Sequence, residues 1–367
     1  MSLTIALDNS GSPVRRFFEG RLGNTAGPQR CYREAAGQLI VPGSGANPGT
    51  VGTATDWLLR FLVTPNPDVD IAIAGAANIG VRMMSALIDL ADMLGASVRP
   101  GSVPADGPFE DWELKNKVEM RLAYHFGTPP PPPGFAFSGP TSGSTVDFEL
   151  LAQGCWALAL LTEVFHYGEA ALKRGPLSQF ASAGPSSPTP DVTVADLLAL
   201  APPAAIEELT AFRKVLKASL LPRLARRSGP WTIGPTFDGT DLVGGADADL
   251  IAAGLLVELK TTLGKKRGDG SRVCILDKRV LFQVVGYALL DSGDQYHLDE
   301  IALFNARYAY LASWPLDALV LEMSGGTLDK SAARREFEPV VRALRGQAEE
   351  LQRSRIQDEP PNAARSS

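Results

Sequence analysis

The chain has 367 residues, 45% of them apolar and 21% charged, enough for one large domain or two ordinary ones with a self-supporting core. Lys and Arg number 35 against 41 Asp and Glu, a formal charge of −6, which excludes a polycation that coats nucleic acid by bulk charge but not a local basic groove. The three cysteines, Cys31, Cys155 and Cys274, form no CxxC pair, so a zinc ribbon, a thioredoxin-type site and a four-cysteine iron–sulfur cluster have no support.

Pro and Gly fall in clumps that mark joints. Residues 42–52 (PGSGANPGTVG) lack the Gly-Lys-Ser/Thr ending of a phosphate-binding loop and fit no G-x-G-x-x-G, so a structural loop is expected. Helical patterns follow over 54–63 and over 70–94, the second ending at Gly95. Residues 128–145 include Pro129 to Pro133 in a row and must be extended or irregular. A long buried helix is expected over 146–173, and the Ser/Pro-rich stretch 175–191 reads as a linker. Helix returns over 192–225, broken at Pro202 and Pro203. The period then shortens: 231–263 reads as strands and hairpins, 276–290 as a helix and 301–314 as paired strands. An amphipathic helix is expected over 331–353, with a disordered polar tail after it.

This gives a mainly helical region 1–174, a linker 175–191, a core 192–325, a C-terminal helical segment 326–353 and a tail 354–367. The fold class is α/β, a small mixed sheet flanked by helices. The N-terminus shows no basic stretch before a long apolar run, so no signal peptide is expected. Apolar windows such as 155–161 stop short of the ~20 residues of a membrane span. With three widely spaced cysteines, the expected setting is a reducing cytoplasm without a membrane partner.

The chemistry concentrates in residues 244–262, GGADADLIAAGLLVELKTT. If 243–251 and 255–261 are strands joined by a turn, a register pairing Ile251 with Leu256 sets Asp249 opposite Glu258 and Asp247 opposite Lys260. Residues two apart on a strand share a face, so the four polar groups project together, and unpaired they would be costly to bury. Such carboxylates can hold one or two Mg²⁺ ions through hard oxygen ligands, with the Leu259 carbonyl free to join them. A lysine beside them can orient the attacking water. Asp247 can equally satisfy turn amides.

An Asp ending one strand, a turn and then Glu258-Leu259-Lys260 on the next resembles the PD-(D/E)xK nuclease superfamily, with Ala248 in the place of its proline. Downstream, Gln283 and Tyr287 match the QxxxY element of its RecB-like branch, four apart and so on one helix face. The resemblance covers about 231–314. It implies a restriction-endonuclease-like core and a Mg²⁺- or Mn²⁺-dependent deoxyribonuclease of DNA processing, repair or defence. Asp249 and Glu258 would be metal ligands, Lys260 would position the nucleophile, and Gln283 and Tyr287 would contact the DNA strand. The family usually adds an acid from an earlier helix; Glu163, Glu207 and Glu208 are the candidates. Lys265, Lys266, Arg267, Arg272, Lys278 and Arg279 lie between the ExK strand and the QxxxY helix, suited either to phosphate contact or to a solvated loop. Arg307 is a further candidate for phosphate. The competing class is a catalytically silent module of the same fold that binds nucleic acid or a protein, and a protein partner or a second copy of the chain stays open.

Overall fold

The computed structural model describes residues 3–64, 66–98, 146–181, 191–237, 239 and 248–358, with side chains to residue 346. The proline run, linker residues 182–190, Asp247 and the tail from 359 lie outside the described residues. Helices α1 (Leu3–Asp8), α2 (Pro13–Arg21) and α3 (Ala26–Ala35) open the chain. Loop 42–47 leads into α4 (Pro48–Val63), where Asn47 accepts the amides of Gly49 and Thr50. The glycine-rich stretch is thus a helix entry, with Pro in the first turn where its missing N–H is harmless.

Two expected long helices are each broken in two. The segment 70–94 forms α5 (Asp70–Ala77) and α6 (Val81–Leu94), separated at Gly80, whose φ is 145°. The segment 146–173 forms α7 (Phe148–Tyr167) and α8 (Glu169–Arg174), separated at Gly168 with φ 58°. Both glycines adopt positive φ without a Cβ penalty. Helix α7 is 20 residues long and, by length and composition, apolar enough to cross a membrane, unlike the shorter windows such as 155–161. However, 67% of its most apolar window is buried inside the protein, as in a core helix.

Helices α9 (Val194–Leu198) and α10 (Pro203–Val215) follow, separated at the two prolines as expected. The sheet then forms from β1 (Trp231–Ile233), β2 (Leu250–Ala252) and β3 (Leu255–Lys260). The basic segment after β3 is no open loop. It makes a small hairpin of β4 (Lys265–Lys266) and β5 (Arg272–Val273). Then come α11 (Lys278–Leu290), β6 (Glu300–Asn305), β7 (Tyr310–Pro315), α12 (Leu316–Met323) and α13 (Lys330–Asp358). The last helix runs five residues past the expected end, into the stretch read as a tail.

Five strands make one mixed sheet, ordered β1-β2-β3-β6-β7. All neighbours are antiparallel except β3 and β6, which run parallel and are joined by a crossover through α11. A parallel pair requires such a long return, and a helix supplies it. The protein is therefore α/β, as its pattern predicts. Alternate strand residues enter two cores: Leu255, Val257 and Leu259 face helices α4 to α7 and α10, while Leu256, Ile301 and Leu303 face α1, α2, α11 and α13. The N-terminal helices thus cover both sheet faces. On the second side Phe18 stacks on Phe282 with ring centroids 5.1 Å apart, and Phe17 meets Phe337 at 5.1 Å.

Candidate active site

The hairpin register is the expected one: Ile251 pairs with Leu256 and Leu250 with Val257. Its turn is Ala253–Gly254, with φ of 49° and 82°, the doubly positive geometry that matches the twist of a two-residue hairpin. Extending the register one step sets Asp249 opposite Glu258, on the face that Ile251 and Leu256 bury. The row Leu256, Glu258, Lys260 passes from core to cleft, and Leu259 points into the opposite core.

At this point β2 has ended and a side chain takes over its role. The Leu259 amide donates to Asp249 Oδ2 at 2.5 Å, where the next ladder acceptor would sit. Since N–H and C=O of one strand residue leave by the same edge, the Leu259 carbonyl opens on the Asp249 side. Lys260 Nζ donates to Glu258 Oε1 at 2.7 Å and to Gln283 Oε1 at 3.2 Å. Gln283 Nε2 in turn donates to the Tyr287 hydroxyl at 2.7 Å. The crossover helix α11 therefore brings its i, i+4 pair onto the hairpin's polar row, and Tyr287 stacks on Phe237.

Helix α4 closes the other side and contributes a carboxylate the sequence reading missed. Asp56 lines the same cleft as Asp249, Glu258, Lys260, Gln283 and Tyr287, a space of about 760 Å³. Its Oδ2 accepts from Arg60 Nε at 3.0 Å, and the Arg60 guanidinium lies over the Trp57 ring at 5.0 Å. Asp56 Oδ1 and Glu258 Oε2 are buried and have no hydrogen-bond partner. Orphaned buried carboxylate oxygens are costly, and here two of them border one cleft. Asp56 and Arg60 form an i, i+4 helix ion pair, and only the tertiary fold brings that pair to the cleft.

The electrostatics follow. Burial, reinforced by the charges of Glu258 and Asp56, pushes the Asp249 carboxyl well above its ordinary range despite Lys260 and the Leu259 amide. Burial also raises Glu258, against the pull of Lys260. Burial works against the Lys260 ammonium, but Glu258 and Asp249 outweigh it and hold the lysine above its ordinary pKa. When all are ionised, the three carboxylates Asp56, Asp249 and Glu258 face two cations, Lys260 and Arg60, and leave one formal negative charge in excess that a divalent cation would satisfy.

The other predicted residues fall elsewhere. Lys265 and Lys266 are exposed on the β4–β5 hairpin and do not line the cleft. Arg279 sits in the first turn of α11, where it pairs with Asp277 at 3.1 Å and Asp8 at 2.9 Å. Among the proposed upstream acids, Glu207 is exposed and Glu163 accepts from Thr50 Oγ1 at 2.7 Å. Glu208 is buried against Arg307 and accepts from Ser44. Arg307 is spent internally: it also donates to the carbonyls of Thr261 at 2.5 Å, Val41 at 3.3 Å and Pro42 at 3.2 Å. It is 2% exposed, so it reaches no phosphate. Instead it braces the chain one residue beyond Lys260 from behind.

Among the described residues, no three His, Cys, Asp or Glu side chains converge closely enough to form a metal cluster by themselves. Comparison with family models, with curated proteins and with solved structures finds no match for this chain.

Proposed function

We propose that the chain is a nuclease with a restriction-endonuclease-like core that hydrolyses DNA phosphodiester bonds with the help of Mg²⁺ or Mn²⁺. The observation that carries this reading is the convergence on one cleft of Asp249, Glu258 and Lys260 with Gln283 and Tyr287, next to two orphaned carboxylate oxygens. The strand–turn–strand–helix–strand order in which they arise supports the same architecture.

The residues fit a hard divalent cation. Mg²⁺ keeps several waters and needs only one or two carboxylates from the protein, so the absence of a three-side-chain cluster does not count against it. Asp249 and Glu258 would hold the ion with the Leu259 carbonyl, and the free oxygen of Asp56 is a further donor. When bound, the ion polarises the scissile phosphate and lowers the pKa of water beside it.

Lys260 keeps its proton at neutral pH, because the carboxylates beside it raise its pKa. Its part is therefore that of a cation: it orients the attacking water by donating to it and offsets charge developing on the phosphate. Gln283 fixes the ammonium from the helix side, and the Tyr287 hydroxyl fixes the amide of Gln283 in turn. The presence of both carboxylates and the lysine in one polar row favours catalysis over a silent binding module.

The test is cleavage of linear duplex, single-stranded and supercoiled DNA by the full chain with Mg²⁺, Mn²⁺ or EDTA, comparing wild type with Lys260→Ala. Metal-dependent cleavage that falls at least ~10²-fold in the variant, with its melting transition still cooperative, is expected. Equal cleavage by the two proteins would remove the mechanism.

A further inference from the structure

The cleft by itself cannot grip a polyanion. Its lining carries the carboxylates of Asp56, Asp68, Asp70, Asp249 and Glu258 against the cations Arg60 and Lys260, and the whole chain has a formal charge of −6. A nucleic acid brought here needs cations fixed beside the cleft, outside its lining.

The β4–β5 hairpin supplies them. Lys265, Lys266 and Arg267 are exposed and Arg272 is half-buried. None of the four joins an ion pair among the described residues, and Arg272 Nη1 donates to the Gly264 carbonyl at 3.0 Å. The one acid of the ribbon, Asp269, accepts from the Ser271 amide at 2.9 Å and its hydroxyl at 2.7 Å. Four cations against one carboxylate give residues 265–273 a local charge of +3.

The ribbon is closed at its tip and anchored at its root. The Arg267 amide donates to the Ser271 carbonyl at 2.8 Å, and the Gly270 amide donates to the Arg267 carbonyl at 3.1 Å. Gly270 has φ 84°, the left-handed glycine that ends a three-residue hairpin loop. At the root, three successive carbonyls accept from the segment that joins β6 to β7. Arg307 Nε holds Thr261 at 2.5 Å, Asn305 Nδ2 holds Thr262 at 3.2 Å and the Tyr308 hydroxyl holds Leu263 at 2.8 Å. A Cβ at Gly264 would overlap the Val273 carbonyl. Thr261 and Thr262 themselves line the cleft, so the ribbon is a fixed extension of the strand that bears Lys260. The five residues from Lys260 to Lys265 reach at most ~18 Å, about five base pairs at ~3.4 Å each.

Shape decides the occupant. Lys266 opposes Arg272 and shares its face, while Lys265 opposes Val273 on the other, followed there by Arg267 two residues on. Cations on both faces suit a groove walled by two rows of phosphates, and the major groove of a duplex admits a two-stranded ribbon. A single strand offers one row and is gripped by ring stacking as well, but residues 261–277 contain no aromatic side chain.

We propose that the β4–β5 hairpin is an arm that binds the backbone of duplex DNA and holds it beside the cleft. The inference rests on the nuclease reading for what then happens to the duplex, but the arm can be tested by binding alone.

The experiment uses the full chain in EDTA. Anisotropy reads binding of a fluorescein-labelled blunt duplex and of an oligothymidylate of equal length, and co-sedimentation reads binding to phosphatidylserine vesicles. Wild type is compared with Lys266→Ala, with Lys265→Ala and Lys266→Ala combined, and with Asp269→Asn. The duplex should bind most tightly, and neutralising three or four phosphates should cost it about 40–150-fold between about 50 and 200 mM salt. The slope of log affinity against log salt should shrink by about 1 in Lys266→Ala and about 2 in the combined variant. Asp269→Asn keeps an acceptor for Ser271 and should tighten the complex; a weaker one counts against charge as the source of the grip. An unchanged slope in the combined variant overturns the arm. Equal or tighter binding of the single strand or of vesicles overturns the duplex as its occupant, and tighter binding of an RNA duplex overturns its assignment to DNA. Lysine-dependent binding without metal-dependent cleavage overturns the nuclease reading and leaves the arm standing. Duplex cleavage equal in wild type and the combined variant below saturating DNA does the reverse.

Discussion

Glu208→Gln tests whether the Arg307 guanidinium is structural. The side chains of Arg307 and Glu208 are 2% and 1% exposed, so solvent screening is negligible. Removing one charge leaves the other buried and uncompensated, a loss of about 3–5 kcal/mol. Arg307→Met removes the guanidinium instead. It strips donors from the carbonyls of Thr261, Val41 and Pro42 at about 1 kcal/mol each, while Glu208 keeps the two Ser44 donors. The double variant has no stranded charge and should lie at least ~2 kcal/mol above the sum of the singles. Urea unfolding at constant pH reads all three differences. Singles that each cost under ~1 kcal/mol, or effects that simply add, would refute the internal role. So would a stable Arg307→Met protein whose only defect is DNA affinity.

Two further outcomes concern the cleft. Asp56→Asn keeps the shape and should lower metal-dependent cleavage by about 10-fold or more, with the deficit shrinking as Mn²⁺ rises; unchanged cleavage across the titration would take Asp56 out of the ion's surroundings. In chelator, folded-state pKa values raised above the ordinary 3.8 of Asp249 and 4.5 of Glu258 mean that the native protein holds protons the unfolded chain has released. Stability from these groups is present at acid pH and is lost as pH rises from about 4 through their raised values. Asp249→Asn should flatten that loss in thermal melts as pH rises above the ordinary carboxylate range, and an unchanged profile would contradict the proton assignment.

The hairpin was legible because strand period and turn chemistry are local. Once Ala253–Gly254 is the turn, Asp249 must oppose Glu258, and the four-residue spacing of Gln283 and Tyr287 puts both on one face. Asp56 was not legible: it lies about two hundred residues from Glu258 and carries no motif beyond a helix ion pair. Arg307 misled for the opposite reason, since a basic residue after a strand suits phosphate or a buried carboxylate equally well. Nothing local reports that Glu208 folds back over it. Gly80 and Gly168 each stood inside an unbroken apolar pattern, and periodicity alone does not distinguish a tolerated helix glycine from one that bends the chain.

The stacking of Phe18 on Phe282 has a consequence for biosynthesis. Helix α2 packs on a helix made some 264 residues later, Phe18 against Phe282. At ribosomal rates of about 5–20 residues per second, Leu3, Leu7, Phe17 and Phe18 wait roughly 13–50 s for their partners. Throughout that interval a sticky amphipathic segment hangs from a half-made chain and offers itself to chaperones or to neighbouring nascent chains. The fold can close only after α11 and α13 have left the ribosome, so the yield of this core should be sensitive to crowding of nascent chains.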